Sequence, residues 1–230
     1  MLGLASNTPP LQRHTLVDSV YQHVLNAILS GRLAAGTEFS EVGLSRELGV
    51  SRTPVHEALA WLAADELVEI QTSCVRVRKL TAREVTDLYE VRQLLECAAA
   101  GRAATRMDSS MLKSLQIQAR ALSTHQDDSG WPARAIEFDL RFHDELAAAA
   151  DNARLKSEIS RYRLLVRAFC RLTGENRQNL RDSLREHVAI LKAIEKQDGP
   201  AAHQAMAAHI TKRLNAVLAA FYHDTAPPPP

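Results

Sequence analysis

Apolar residues recur along this chain with a helical period far more often than with an alternating one. Val17, Val20, Tyr21, Val24 and Ile28 fall on one face of a helix from about Leu16 to Ser30, closed by the turn-forming stretch Gly31-Arg32-Leu33-Ala34-Ala35-Gly36. Ser40 is placed to cap a short helix from about Glu41 to Leu48, and Gly49 stands where a left-handed residue is needed to end it. Ser51 is the expected cap of the next helix, with Pro54 in its first turn, where a missing N–H costs little. Along that helix Val55, Leu59 and Leu62 form an inward stripe, while Arg52, Thr53 and His56 point from the opposite side near its start. Leu67 to Ile70 and Cys74 to Arg78 are short β-prone runs around Gln71-Thr72-Ser73, the pattern of a two-stranded wing. The order helix, helix, helix, hairpin predicts a winged helix-turn-helix over residues 14–79.

From Thr81 onward the pattern is helical throughout. Thr81-Ala82-Arg83-Glu84 fits a capping box ahead of an apolar-periodic run. Helices are expected near 82–106, 110–126, 132–150, 152–172, 177–196 and 200–222, divided by Met107-Asp108-Ser109, Asp127-Asp128-Ser129-Gly130, Asp151, Thr173-Gly174 and Asp198-Gly199-Pro200. Six such helices with short links predict an all-α bundle over residues 80–224, so the fold class is mainly α, a winged helix-turn-helix followed by a six-helix bundle. Residues 1–13 and the Pro-rich 225–230 are expected to be disordered tails.

Composition narrows the setting. The 230 residues are 46% hydrophobic with no long unbroken apolar run, so a membrane span is not expected. The start Met1-Leu2-Gly3-Leu4-Ala5 lacks the basic and apolar regions of a signal peptide. Cys74, Cys97 and Cys170 are few, scattered and odd in number, which suggests reduced thiols in a cytoplasmic protein. The formal net charge is only +1, and from Arg13 to Lys79 acidic residues slightly outnumber basic ones. Affinity for DNA would therefore depend on local placement of Arg46, Arg52, Arg76, Arg78 and Lys79, on helix N-termini and on duplication in a dimer.

The segments Ile28-Leu29-Ser30-Gly31-Arg32-Leu33, Gly36, Leu48-Gly49-Val50-Ser51-Arg52-Thr53-Pro54-Val55 and Glu57-Ala58-Leu59 resemble, in order, the N-terminal domain of GntR-type transcriptional regulators. That resemblance implies a homodimer on a palindromic double-stranded DNA operator. The expected DNA contacts are Arg46, Ser51, Arg52, Thr53 and His56, with Thr72 and Arg76 of the wing. The chain departs from the family pattern in having His56 for an Arg, Ala35 for a Pro and Glu66 for a Gly, and in a wing about one residue short and without its usual Gly. Imidazole in place of guanidinium removes a bidentate guanine reader, which implies an altered operator.

In the second domain Asp139 and His143 are four apart and share a helix face, on a stripe read as Ile136, Leu140, His143 and Ala147. His187 opens a stripe with Leu191 and Ile194, and His209 lies beside Met206 and Ile210. Imidazoles and a carboxylate directed inward from three helices can converge on one cation, although a lone histidine on an apolar face is more often an ordinary hydrogen-bonded core residue. Asp139-Leu140-Arg141-Phe142-His143, Glu186-His187-Val188 and Ala208-His209-Ile210 resemble the FCD effector domain of FadR-like GntR regulators, with a helix count similar to the six-helix VanR-type subgroup. The resemblance implies that Asp139, His143, His187 and His209 are metal ligands. Zn²⁺ is the default occupant of three imidazoles and a carboxylate, with Ni²⁺, Fe²⁺ or Mn²⁺ as alternatives set by availability. His14, His23, His125, His203 and His223 match nothing in that pattern and are read as surface residues.

Arg92 occupies the Arg of the pattern Tyr89-Glu90-Val91-Arg92-x-x-Leu95-Glu96, on a stripe read as Leu88, Arg92, Leu95 and Ala99. It is read either as a bidentate clamp on a small carboxylate effector or as an ion-pair partner of Glu96 one turn on. The favoured function is a ligand-responsive transcription regulator and not an enzyme, since no spare acid or base is dedicated to chemistry. A metal-sensing regulator and a metal-dependent enzyme are the alternatives.

Overall fold

The computed structural model describes residues 13–124, 126–172 and 177–222, without the side chains of residues 13–15, 164, 165, 167–172 and 220–222. The chain forms two compact units, the first of residues up to Lys79 together with Arg167–Leu172, the second of the remainder from Leu80. The expected tails lie outside the described residues, except that Arg13 opens the first helix.

The first unit runs α1 (Arg13–Leu29), β1 (Glu38–Phe39), α2 (Glu41–Leu48), α3 (Arg52–Ala64), β2 (Val68–Ile70) and β3 (Val75–Val77). Val17, Val20, Val24 and Ile28 of α1 are buried, as are Val55, Leu59 and Leu62 of α3, and the two helices pack together. At the rim of this core the Tyr21 hydroxyl donates to Asp65 Oδ2 at 2.6 Å and its ring meets Trp61 edge-on.

The wing is larger than the pattern predicts. Gly36 has φ +85°, which turns the chain so that its N–H donates to the Val77 carbonyl at 2.8 Å, and the Val77 N–H donates to the Thr37 carbonyl at 2.9 Å. The strand that follows pairs Glu38 with Arg76 and Phe39 with Val75, giving an antiparallel sheet ordered β1-β3-β2. Two residues are too few to carry a period of two, so β1 left no pattern to read.

The caps of α2 form as expected: Ser40 Oγ accepts from the Gly43 N–H at 3.0 Å, and Gly49 has φ +64°. Ser51 does sit in extended backbone before α3, but its hydroxyl makes no capping hydrogen bond. This helix start is exposed, so water can satisfy the first N–H groups without the side chain. Glu66, just past α3, has φ +60°. A side chain in that region costs about 1–2 kcal/mol relative to ordinary backbone. The position is the one where Glu replaces the family's Gly, and Arg78 Nη1 donates to Glu66 Oε2 at 2.8 Å, a contact that glycine could not make.

Beyond Lys79 the chain runs α4 (Ala82–Arg106), α5 (Ser109–Thr124), α6 (Trp131–Ala149), α7 (Ala153–Leu172), α8 (Arg177–Glu195) and α9 (Gly199–Tyr222), all in the second unit but for the end of α7 from Arg167. The capping box is complete, with Glu84 N–H donating to Thr81 Oγ1 and Thr81 N–H to Glu84 Oε2. Trp131 is fully buried and its indole N–H donates to the Leu122 carbonyl at 2.8 Å, tying the start of α6 to the end of α5. The inward face of α6 is Ala135, Phe138, Phe142 and Leu146, whereas Ile136 and Leu140 are half-buried. In α4 the buried line is Val85, Tyr89, Arg92 and Glu96, with Leu88 and Leu95 on its flank. Half of each expected stripe is therefore buried, His143 and Ala147 in α6 and Arg92 and Ala99 in α4, while the rest lies at its edge, because neighbours on either side share each apolar face and a single row of residues does not find its centre.

The longest shared boundary in this unit is between α4 and α9. Their backbones meet at glycine: a Cβ on Gly199 would lie 2.9 Å from the Gly101 carbonyl oxygen. Among the described residues no helix is long and apolar enough to cross a membrane.

Candidate metal centre and nucleic-acid interface

Three helices bring the four residues together. Asp139 and His143 project one turn apart from α6, His187 comes from α8 and His209 from α9, and one ligand atom from each lies within 4.8 Å of the others. Asp139 Oδ1 is 3.5 Å from His187 Nε2 and 3.8 Å from His143 Nε2. The imidazoles are sealed, with side chains only 1% exposed, while the Asp139 side chain is 34% exposed, so the cluster opens on the carboxylate side. Phe142 stacks on His187 with 4.1 Å between ring centroids and meets His143 edge-on.

A second layer of charge surrounds the cluster. Arg163 of α7 is buried, and its Nη2 donates to Asp139 Oδ2 at 3.3 Å. His209 Nδ1 donates to Glu186 Oε2 at 2.8 Å. His143 Nδ1 stands 2.5 Å from Glu96 Oε2, off the direction of a well-formed hydrogen bond. Glu96 Oε1 accepts from Arg92 Nε at 2.8 Å, and the Arg92 guanidinium lies over the Tyr89 ring. The sequence offered the Arg92–Glu96 ion pair, which forms, but not the approach of Glu96 to His143, nor the parts of Glu186 and Arg163. Glu186 is signalled only by its position beside His187, and no spacing points to Arg163.

The electrostatics suit a cation. Burial lowers the pKa of His143, and lowers those of His187 and His209 well below the ordinary histidine value, so the rings are neutral and offer lone pairs. Burial pushes Asp139 and Glu96 upward, but their partners outweigh it: His143 and the Arg163 guanidinium hold Asp139 down, and the Arg92 guanidinium and His143 hold Glu96 down. Both carboxylates are therefore charged. His143 Nε2 and His187 Nε2 are buried without a hydrogen-bond partner. Unpaired buried acceptors are costly, and a divalent cation among these donors satisfies them, so the residues fit a metal.

The expected DNA contacts gather in the first unit. Ser51, Arg52, Thr53 and His56 are exposed at the start of α3, Arg46 is exposed on α2 and Thr72 in the β2–β3 turn. Arg76, on the middle strand, is half-buried, with its Nε donating to Glu38 Oε1 at 2.9 Å. Glu41 approaches two of the expected contacts: His56 Nδ1 is 2.8 Å from Glu41 Oε1, and Arg52 Nη2 is 3.9 Å from Glu41 Oε2. Of the remaining histidines, His23 and His203 are exposed, while the side chains of His14, His125 and His223 lie outside the described residues.

Comparison with known proteins gives the same division. Residues 16–73 match the bacterial regulatory proteins of the gntR family, and residues 87–212 match the FCD domain. The HTH-type transcriptional repressor RspR of Escherichia coli (strain K12) is 30% identical over 196 residues, covering 83% of this chain and 84% of its own length. Among solved structures, a putative transcriptional regulator GntR from Rhodococcus sp. RHA1 has a TM-score of 0.71 at 25% identity, covering 90% of this chain and 99% of that one. E. coli McbR/YncC has a TM-score of 0.74 at 19% identity over 89% of this chain and 97% of its own, a likeness of fold. A winged helix-turn-helix in the gntR pattern followed by an FCD domain makes this chain a DNA-binding transcriptional regulator of the GntR family.

Proposed function

We propose that this regulator is a homodimer in the cytoplasm whose FCD domain holds a divalent cation and binds a small organic acid that changes its affinity for a palindromic operator. The reading rests on one observation above all: three neutral, buried imidazoles and the charged Asp139 carboxylate converge from three helices, with two Nε2 atoms otherwise unpartnered. Asp139, His143, His187 and His209 would hold the cation, with Zn²⁺ the default for this donor set and Ni²⁺, Fe²⁺ or Mn²⁺ the alternatives. The exposed Asp139 side of the cluster is where an effector carboxylate would approach. Arg92, buried next to the cluster with its Nε donating to Glu96 Oε1, is the proposed second anchor for that acid. On the DNA side, Arg46, Ser51, Arg52, Thr53, His56, Thr72 and Arg76 are the proposed contacts, with the start of α3 reading bases in the major groove.

The test is to measure metal content and operator binding together. His143→Ala, His187→Ala and His209→Ala are each expected to lose bound cation, measured by native mass spectrometry, and to lower the melting temperature. Full occupancy in all three variants would remove the metal reading. Titrating metal and candidate acids separately against operator binding then decides the signal. A response to metal alone favours a metal sensor over an acid-responsive regulator.

A further inference from the structure

An imidazole has two nitrogens, and the one that ligates is set by what the other touches. In His143 and His209 that choice is already made. The Nδ1 atom of His143 stands 2.5 Å from Glu96 Oε2, and its Nε2 faces Asp139 Oδ1. The Nδ1 atom of His209 is hydrogen-bonded to Glu186 Oε2, which leaves Nε2 as its remaining donor. Glu96 comes from α4, a helix that supplies no ligand, and Glu186 reaches across from α8 to α9 while its neighbour His187 joins the cluster.

We propose that Glu96 and Glu186 are positioning residues of the cation site, each fixing one imidazole through Nδ1 so that Nε2 faces the cation, with Arg92 acting through Glu96. This rests on the reading that the cluster binds a cation. A simple Arg92–Glu96 ion pair explains only one carboxylate oxygen, since Oε1 accepts from Arg92 while Oε2 is turned to His143. Among the described residues neither Glu96 Oε2, on a residue only 3% exposed, nor His143 Nδ1 has another hydrogen-bond partner, and a proton on Nδ1 is what makes their 2.5 Å approach favourable. A cation at Nε2 requires the proton to sit on Nδ1, and the neighbouring negative charge makes the ring a stronger donor to the metal.

The two carboxylates differ in strength. Glu96 is sealed, and its Oε1 is paired with the Arg92 guanidinium at 2.8 Å. Glu186 is 12% exposed and also faces Lys212 at 3.4 Å and Arg213 at 3.7 Å, so its charge is shared. Loss of Glu96 therefore has the larger effect.

Full-length E96Q, E186Q and R92M/E96Q, with wild type and H187A, are titrated with Zn²⁺ against a chromogenic chelator and with Co²⁺ by visible absorption. Gln keeps the size and an acceptor oxygen but removes the charge, and R92M/E96Q removes the buried pair together, so that no lone charge unfolds the domain. The expected result is a 10–100-fold weaker Zn²⁺ affinity in E96Q and R92M/E96Q and about a 3–10-fold loss in E186Q, with stoichiometry kept and the Co²⁺ bands shifted. Unchanged affinity and bands in all three variants, with binding abolished in H187A, would overturn the positioning role and leave the cation site standing. Failure of wild type to bind either ion would overturn both.

Discussion

A buried neutral imidazole couples folding to pH, and the sign follows from its lowered pKa. In the metal-free protein His143, His187 and His209 resist protonation, chiefly through burial, whereas the unfolded chain takes up protons below about pH 6.5. The unfolded state then binds more protons, so stability is full above that value and falls as pH is lowered, by roughly 1.4 kcal/mol per pH unit for each ring that stays neutral. Burial raises Glu186, which works in the opposite direction at more acid pH, so the comparison belongs between pH 7.5 and 6. Chelator-treated protein is expected to melt at a lower temperature at pH 6, with a shallower fall in His187→Leu, as followed by calorimetry. A melting temperature independent of pH over this interval would show that the rings are not held neutral. At this scale the apolar-face pattern raised the four clustered residues as candidates, and the resemblance to the FCD domain singled them out as a set. The Arg92–Glu96 pair was legible from its spacing of four, but the contacts of Glu96 with His143, Glu186 with His209 and Arg163 with Asp139 were not, since each crosses between helices and no sequence spacing encodes it.

Among the elements, α2 and α3 carry a contact that bears on how DNA is read. Glu41 opens α2 and faces both Arg52 and His56 of α3. A phosphate or base edge would have to compete with it. Exposed pairs of this kind contribute only about 0–1 kcal/mol, so the competition changes affinity modestly and selectivity more. Glu41→Gln is expected to tighten binding to unrelated duplex DNA by a few fold and narrow the ratio between operator and non-operator DNA, whereas Arg52→Ala weakens operator binding by on the order of 1–3 kcal/mol. Fluorescence anisotropy on both duplexes checks this, and an unchanged ratio in Glu41→Gln would mean that the contact has no part in selection. The helices of both units were readable from their period and punctuation, with ends within a few residues. The third strand was not, because Glu38 and Phe39 join the sheet through a turn at Gly36 and through partners nearly forty residues away.

For the molecule as a whole, charge sets the problem. A net charge of +1, with Arg52, Arg76 and Arg78 each facing a glutamate, leaves little general attraction for DNA in one copy. Two copies on a palindrome would double the local contacts, with half-sites about 34–36 Å apart along the duplex. Sedimentation is expected to show a dimer, and scrambling one half-site should weaken binding more than tenfold. Equal affinity for one and two half-sites would argue for a monomeric reader. The glycine contact between α4 and α9 carries a further consequence. Gly199 lies ten residues before His209, about 15 Å along the same helix. A single methyl group there would press on the Gly101 carbonyl and tilt the helix that delivers one imidazole. If the cluster binds a cation as proposed, a variant at this glycine would thus show the symptoms of a lost ligand while every proposed ligand remained in the sequence, and mutational screens of this domain would assign it to the wrong place.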